Sequence, residues 1–354
     1  MIGNKYKYAI VDCSLVLSRS AFAVSAGKKP GEYTSADVIR LTIQTLRKLS
    51  RDWGVTCDKC LMVFDKWKSE YGGYYRTYLL KGAYKDDRGD IEGEKGKSSP
   101  LDTYMTREKY EALKQDPDIS QEDLEKAYEK LYFNEVKYDS KWTMVRELKK
   151  FGVPFLGVAG MEYDDIAYIA SNILYDPTPG AKPSIFVTKD SDILSCTTPM
   201  MDYFKIPTKG AEPQILTYNE IYGSMMPEEL KGKLSLYQYR SFVEALGDGH
   251  NGMRKTRKDR ADQVETILKT MQGDFSNLSD PDLFKLQYSS FDVTTFPEFE
   301  EAKRLVTDLF ATSGKLGTLT EFHEFCDKYK ISGISDRYFT EFISSFDPKL
   351  YCER

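Results

Sequence analysis

The chain has 354 residues, with 50 lysines and arginines against 55 aspartates and glutamates, a formal net charge of −5 and 41% hydrophobic residues. That length allows a sizeable core and favours two domains. The slightly acidic balance excludes a wholesale polycation, so any nucleic-acid contact has to come from local basic patches. No apolar run approaches the roughly 20 residues that span a bilayer, and the N-terminus runs into a strand without the apolar core of a signal peptide. A cytoplasmic protein with no membrane partner is expected.

Tyr8-Ala-Ile-Val-Asp12 is a short β-branched run that ends on an aspartate, and Leu61-Met-Val-Phe-Asp65 repeats the pattern. Such runs mark buried parallel strands whose carboxyl ends carry chemistry. Between them Ser35 opens an amphipathic helix with Val38, Leu41, Ile43 and Leu46 in period, so the chain begins as a βαβ unit. Cys13 and Cys60 read as small core residues embedded in strands. The Cys57-Asp-Lys-Cys60 motif has no second cysteine pair or histidine at zinc spacing, since the chain holds only His250 and His323, and six scattered cysteines make no disulfide framework.

Residues 86–122 change character, with Asp86-Asp-Arg-Gly-Asp-Ile-Glu-Gly-Glu-Lys-Gly-Lys-Ser-Ser-Pro100 and few large apolar residues, and are expected to be mobile. Helical periodicity returns over Gln121–Tyr132 and around Trp142–Phe151, with Trp142, Val145, Leu148 and Phe151 on one face. A strand-like run, Val153–Val158, then leads to Glu162-Tyr-Asp-Asp165 at the start of a helix that ends near Tyr175. A Pro- and Gly-containing loop over 177–183 precedes the strand Ser184–Thr188, which runs into Lys189-Asp190-Ser-Asp192. From about Leu234 the pattern is helical. The expected fold class is α/β: a mostly parallel central sheet with helices on both faces, a helical arch or insertion over about 82–140, and a smaller, mainly helical C-terminal subdomain. The catalytic domain spans 1–233 and the subdomain 234–354.

Asp190 and Asp192 are the most informative residues, two carboxylates just beyond an apolar strand. With Asp12, Asp65, Glu162, Asp164 and Asp165 they place several acids at the ends of strands and the start of one helix. Crowded carboxylates repel one another unless cations neutralise them, and hard oxygen donors suit Mg²⁺ or Mn²⁺ better than zinc. The competing reading of Asp164 and Asp165 is structural: acids at a helix N-terminus complement its dipole.

Asp12, Asp65, Glu162-Tyr-Asp-Asp165, Lys189-Asp-Ser-Asp192 and Gly247-Asp248 occur in the order and spacing of the flap endonuclease, or 5′-nuclease, superfamily, and over most of the chain the sequence resembles the RNase H branch of T-even-type bacteriophages. The resemblance extends to Asp65-Lys-Trp-Lys-Ser-Glu-Tyr and, weakly, to Phe291-Asp-Val-Thr-Thr-Phe296. It implies a two-ion Mg²⁺ centre, with Mn²⁺ as a substitute. One ion would be held chiefly by Asp12, Asp65, Glu162, Asp164 and Asp190, and a second by Asp192, Asp165 and Asp248, often through water. It also implies an arch in which Lys85 and Arg88 act on the scissile phosphate while Arg76, Lys81 and Tyr84 contact nucleic acid. The tyrosines have an alternative reading as core packing.

Two departures from the family pattern stand out. Gly247-Asp-Gly-His-Asn251 lacks a residue and carries His250 where a second aspartate falls; His250 is either a softer ligand or a bystander. The glycine-rich helix–turn–helix signature that follows in the family is replaced by Arg254-Lys-Thr-Arg-Lys-Asp-Arg260, five basic residues in seven. Directly after an acidic motif, Arg254, Lys255, Arg257 and Lys258 suit the phosphates of a duplex, against the blander reading of a solvated face.

No Walker loop, GxGxxG loop or Ser-His-Asp arrangement is present. The expected function is a monomeric 5′-to-3′ exonuclease and flap endonuclease acting on 5′-flap or nicked duplex DNA and RNA–DNA hybrids. Its task would be primer removal in phage lagging-strand replication, in the host cytoplasm, with a single-strand-binding protein or sliding clamp as possible partners. The alternatives are a single-stranded-RNA metal nuclease and a non-catalytic relative that binds branched DNA.

Overall fold

The computed structural model describes residues 5–55, 57–65, 105–151, 153–207, 211–245, 260–276, 278, 294, 297–311 and 318–331. The chain divides into two compact units, one of Met1–Met62, Glu92–Phe155 and Thr312–Arg354, the other of Val63–Ile91 and Leu156–Ala311.

In the first unit, strand β1 (Tyr6–Asp12) passes without a loop into helix α1 (Cys13–Ser25). Asp12 makes that possible: its Oδ1 accepts the Leu15 N–H at 2.8 Å and so caps the helix. Cys13 is therefore the first residue of a helix and not a strand residue, though it is fully buried as expected. Helix α2 (Ser35–Arg51) is fastened by Thr34 and Asp37, and it buries Val38, Ile39, Thr42, Ile43, Leu46 and Leu49. Strand β2 (Cys57–Val63) begins earlier than its apolar run and ends before Asp65.

Residues 105–122, within the segment expected to be mobile, form helix α3 (Arg107–Lys114) and the lead into helix α4 (Gln121–Lys149). Met105, Tyr110 and Leu113 pack on Ala127 and Leu131 of α4, and Arg107 grips Glu135 with Nη2–Oε1 at 2.7 Å.

Helix α4 is one element of 29 residues where the sequence suggested two. No glycine or proline interrupts it, but its buried stripe shifts from Ala127 and Leu131 to Val136, Ser140, Thr143 and Glu147, and these polar members hide the period. Trp142 is 47% exposed, off the core face.

Glu147 explains one of those polar positions. Its carboxylate accepts from Lys150 Nζ at 2.6 Å, Arg146 Nε at 3.3 Å, Lys328 Nζ at 3.4 Å and Tyr329 Oη at 3.2 Å. The last two belong to helix α10 (Leu319–Lys328) and the residue after it, which also seats Phe322 on Phe151 with ring centroids 5.4 Å apart.

The second unit carries the rest of the secondary structure. Strand β3 (Phe155–Leu156) falls at the boundary where Phe155 ends a segment of the first unit and Leu156 opens one of the second, and helix α5 (Tyr163–Ile173) follows. Strands β4 (Ser184–Thr188), β5 (Met201–Lys205) and β6 (Gln214–Leu216) come next. Helices α6 (Tyr218–Met225), α7 (Leu236–Ala245), α8 (Arg260–Met271) and α9 (Phe299–Ala311) complete it. The six strands form a mostly parallel sheet in the order β3-β2-β1-β4-β5-β6. Met62 and Phe64 donate their N–H groups to the carbonyls of Pro154 and Leu156, an advance in the same direction that marks parallel pairing. Strand β4 pairs in parallel with β5, Ser184 opposite Met201 through Thr188 opposite Lys205, and β5 pairs antiparallel with β6. All five residues of β4 are buried, as befits an inner parallel strand.

Candidate metal centre

Helix α5 starts where acids take its first N–H groups. Glu162 is the cap residue, and its own N–H donates to Asp165 Oδ2 at 2.9 Å. The next N–H, of Tyr163, donates to Asp65 Oδ1 at 2.8 Å. Capping side chains stabilise a helix by about 1 kcal/mol each, and here the caps are carboxylates, which the positive end of the helix dipole favours. Asp165 is 1% exposed and Glu162 9%, while Asp164 and Asp65 are half-buried. The structural reading of Asp165 thus holds alongside any role in a metal centre.

The second acidic element follows β4. The Asp190 N–H donates to Thr188 Oγ1 at 3.1 Å, and the Asp192 N–H donates to Asp190 Oδ1 at 3.0 Å. A 3₁₀ turn over Asp192–Cys196 closes with Ser195 Oγ donating to the Asp192 carbonyl at 2.6 Å. The strand end and the turn therefore fix the Asp190 carboxylate and the main chain of Asp192.

The electrostatics tie the two elements together. Asp190 has solvent access, yet the protein around it desolvates its carboxyl and raises its pKa above the ordinary aspartate value. The charges of Asp192, Asp164 and Glu162 push the same way, and the Asp192 N–H partly offsets them. Four carboxylates thus share one region of negative potential, which a hard divalent cation would relieve. The donor chemistry fits Mg²⁺ or Mn²⁺. The side chains are not closed into a coordination shell: among the described residues no group of three or more His, Cys, Asp or Glu side chains stands in ligand arrangement.

Asp12 belongs to the other unit, 8% exposed and capping α1. Asp248, His250, Lys85, Arg88, Arg76, Lys81, Tyr84, Arg254, Lys255, Arg257 and Lys258 lie outside the described residues.

Two residues that the sequence did not flag join the acids. Arg240, on α7, places Nη2 3.1 Å from Asp192 Oδ1, with the two side chains 17% and 29% exposed. Tyr203, on β5, is 1% exposed, its hydroxyl has no hydrogen-bond partner among the described residues, and burial together with the Asp190 charge pushes its pKa up. Arg240 lies 48 residues from its partner, and Tyr203 lies in a strand too polar to stand out.

No protein-family model matches the sequence, and no curated protein matches it. Among solved structures, the bacteriophage T5 flap endonuclease, in a pseudo-enzyme–product complex with DNA and metal ions, superposes with a TM-score of 0.52 over 86% of this chain and 100% of that one, at 15% identity. This fold is shared with a phage flap endonuclease. The bacteriophage T5 5′-exonuclease with bound zinc aligns over 92% of this chain and 98% of that one at 17% identity and a TM-score of 0.44. Human GEN1 bound to Holliday junction DNA aligns over 96% and 71% at 11% identity and 0.46. The fold assignment rests on the first of the three. In this chain Asp65 follows β2, Glu162, Asp164 and Asp165 stand at the start of α5, and Asp190 and Asp192 lie in the turn after β4.

Proposed function

We propose that the chain is a Mg²⁺-dependent 5′ nuclease of the flap endonuclease superfamily that hydrolyses phosphodiesters in 5′-flap or nicked duplex DNA and in RNA–DNA hybrids. The observation that carries this reading is the gathering of carboxylates at a helix start and a strand end: Asp165 and Asp65 accept the first N–H groups of α5, and Asp190, held in the turn after β4, faces the charges of Asp192, Asp164 and Glu162. Structural acids are normally paired with cations. Acids that repel one another in a flap-endonuclease fold are more economically explained as ligands.

In this reading Asp65, Glu162, Asp164 and Asp190 would hold one cation, and Asp165, Asp192 and Asp248 a second. Bound Mg²⁺ or Mn²⁺ supplies Lewis acidity toward the attacking water and the leaving oxygen. The protein's own part is positioning: the caps of α5 and the turn after β4 set the carboxylates, Lys85 and Arg88 hold the scissile phosphate, and Arg76, Lys81 and Tyr84 guide the strand. Arg254, Lys255, Arg257 and Lys258 grip duplex phosphates. Removal of RNA primers in phage replication, as in the T-even RNase H branch, is the task that suits those substrates.

The deciding experiment is cleavage of a 5′-labelled flap in Mg²⁺, in Mn²⁺ and in chelator. Metal-dependent release of short 5′ products is expected. Binding of the flap without cleavage in either metal would mark the chain as a non-catalytic branched-DNA binder, and cleavage confined to single-stranded RNA would mark it as a ribonuclease.

A further inference from the structure

We infer that Arg240 is the resident counter-cation of Asp192, so that the protein itself neutralises this carboxylate and a single divalent ion, on the Asp190 side, serves the site. The inference rests on the nuclease reading above and changes its ion count.

The pair is built into the fold. Asp192 is fixed through its main chain, its N–H on Asp190 and its carbonyl accepting from Ser195. Arg240 is set by helix α7, which is held to α5 by Tyr237 stacked on Tyr168 with ring centroids 3.8 Å apart and planes at 17°. Tyr237 and Arg240 are three residues apart, hence on one helical face. The guanidinium is therefore delivered by a docked helix and does not hang on a free surface arm.

With side chains only 17% and 29% exposed, the pair sits where breaking one partner leaves a poorly solvated charge. A second divalent ion claiming Asp192 would have to displace the guanidinium or lie beside it, and like charges at such range repel strongly outside bulk water. The sequence beyond α7 offers that ion little in return. Asp248 is followed by Gly249, neutral His250 and Asn251, and then by five cations within Arg254–Arg260.

The test is Mn²⁺ titration of the full-length, chelator-stripped protein, with free Mn²⁺ counted by its electron paramagnetic resonance signal. Wild type should bind one equivalent, lost in Asp190→Asn and kept in Asp192→Asn. Arg240→Gln should gain a second equivalent that disappears in the Arg240→Gln/Asp192→Asn double variant, and Arg240→Lys should stay at one. Two equivalents in wild type with one lost in Asp192→Asn would overturn the inference, as would an unchanged count in folded Arg240→Gln. If Arg240→Gln fails to fold, wild type and Asp192→Asn decide the matter alone. Two bound ions with intact flap cleavage would sink only the role of Arg240, whereas no bound Mn²⁺ and no cleavage would sink the nuclease reading with it.

Discussion

Tyr163 donates its main-chain N–H to the carboxylate of Asp65, 98 residues earlier in the chain, at 2.8 Å. One acid therefore both starts a helix and faces a candidate metal centre, and the two roles can be separated by choice of substitution. Asp65→Asn keeps an oxygen acceptor but loses the charge. It should melt within a few degrees of wild type while single-turnover flap cleavage falls by several orders of magnitude. Asp65→Ala should lose the same activity and also about 1 kcal/mol of stability, the usual cost of a missing cap. Near-normal cleavage by Asp65→Asn would remove Asp65 from the ligand set.

Asp190 should destabilise the metal-free protein at neutral pH. Its folded pKa lies above the ordinary value, so the folded state holds a proton more tightly than the unfolded chain does. The stability this contributes is complete below the unfolded pKa and is lost as pH rises through the folded pKa. In chelator at pH 7, Asp190→Asn should therefore unfold at higher urea than wild type, with the difference vanishing in acid, while its flap cleavage is abolished. Equal midpoints at both pH values would contradict the repulsion.

Glu147 has the opposite sign. Burial pushes its pKa up, but the hydrogen bonds and charges of Lys150, Arg146 and Lys328 outweigh that and bring it down to about 2. A carboxyl depressed on folding adds stability above its unfolded pKa, lost as pH falls through the folded one. Glu147→Gln should cost roughly 1–3 kcal/mol at pH 7, the partner cations being largely solvent-screened, and the cost should fade between about pH 4.5 and 2. Urea unfolding of both proteins across that range measures it. A pH-independent difference would point to packing alone.

The two basic elements outside the described residues should fail differently. Replacing Arg254 and Lys255 by alanine should weaken duplex binding regardless of sequence and flatten the slope of log affinity against log salt by about 1 to 2, with saturating substrate restoring most of the rate. Replacing Lys85 and Arg88 should lower the single-turnover rate at saturation with less effect on affinity. An unchanged salt slope for the first pair would leave that cluster as a solvated face.

The strands that place the acids were legible because parallel-sheet burial writes itself as an unbroken apolar run: Ser184–Thr188 was bounded to the residue, and β1 within two. Elements that break this rule escaped. Strand β5 alternates Asp202 and Lys205 with its core residues, and β6 is three residues long at the sheet edge. Helix α1 follows β1 with no turn to announce it, since Asp12 serves as both strand end and cap. Helix α4 was split because Ser140, Thr143 and Glu147 occupy its buried stripe, each satisfied by a partner distant from it or one turn away. At the site, the carboxylates were visible as local motifs. Arg240 was not, because its identity as a partner depends on how helix α7 docks and not on its neighbours in sequence.

Helix α4 has a mechanical consequence. At 29 residues it is about 43 Å long, built over at one end by Met105, Tyr110 and Leu113 and locked near the other, through Glu147, to Lys328 and Tyr329. The stretch around residue 110 and the final described helix, more than two hundred positions apart in the chain, are thus both fastened to one continuous helix, so a break introduced in its middle would part the two contacts.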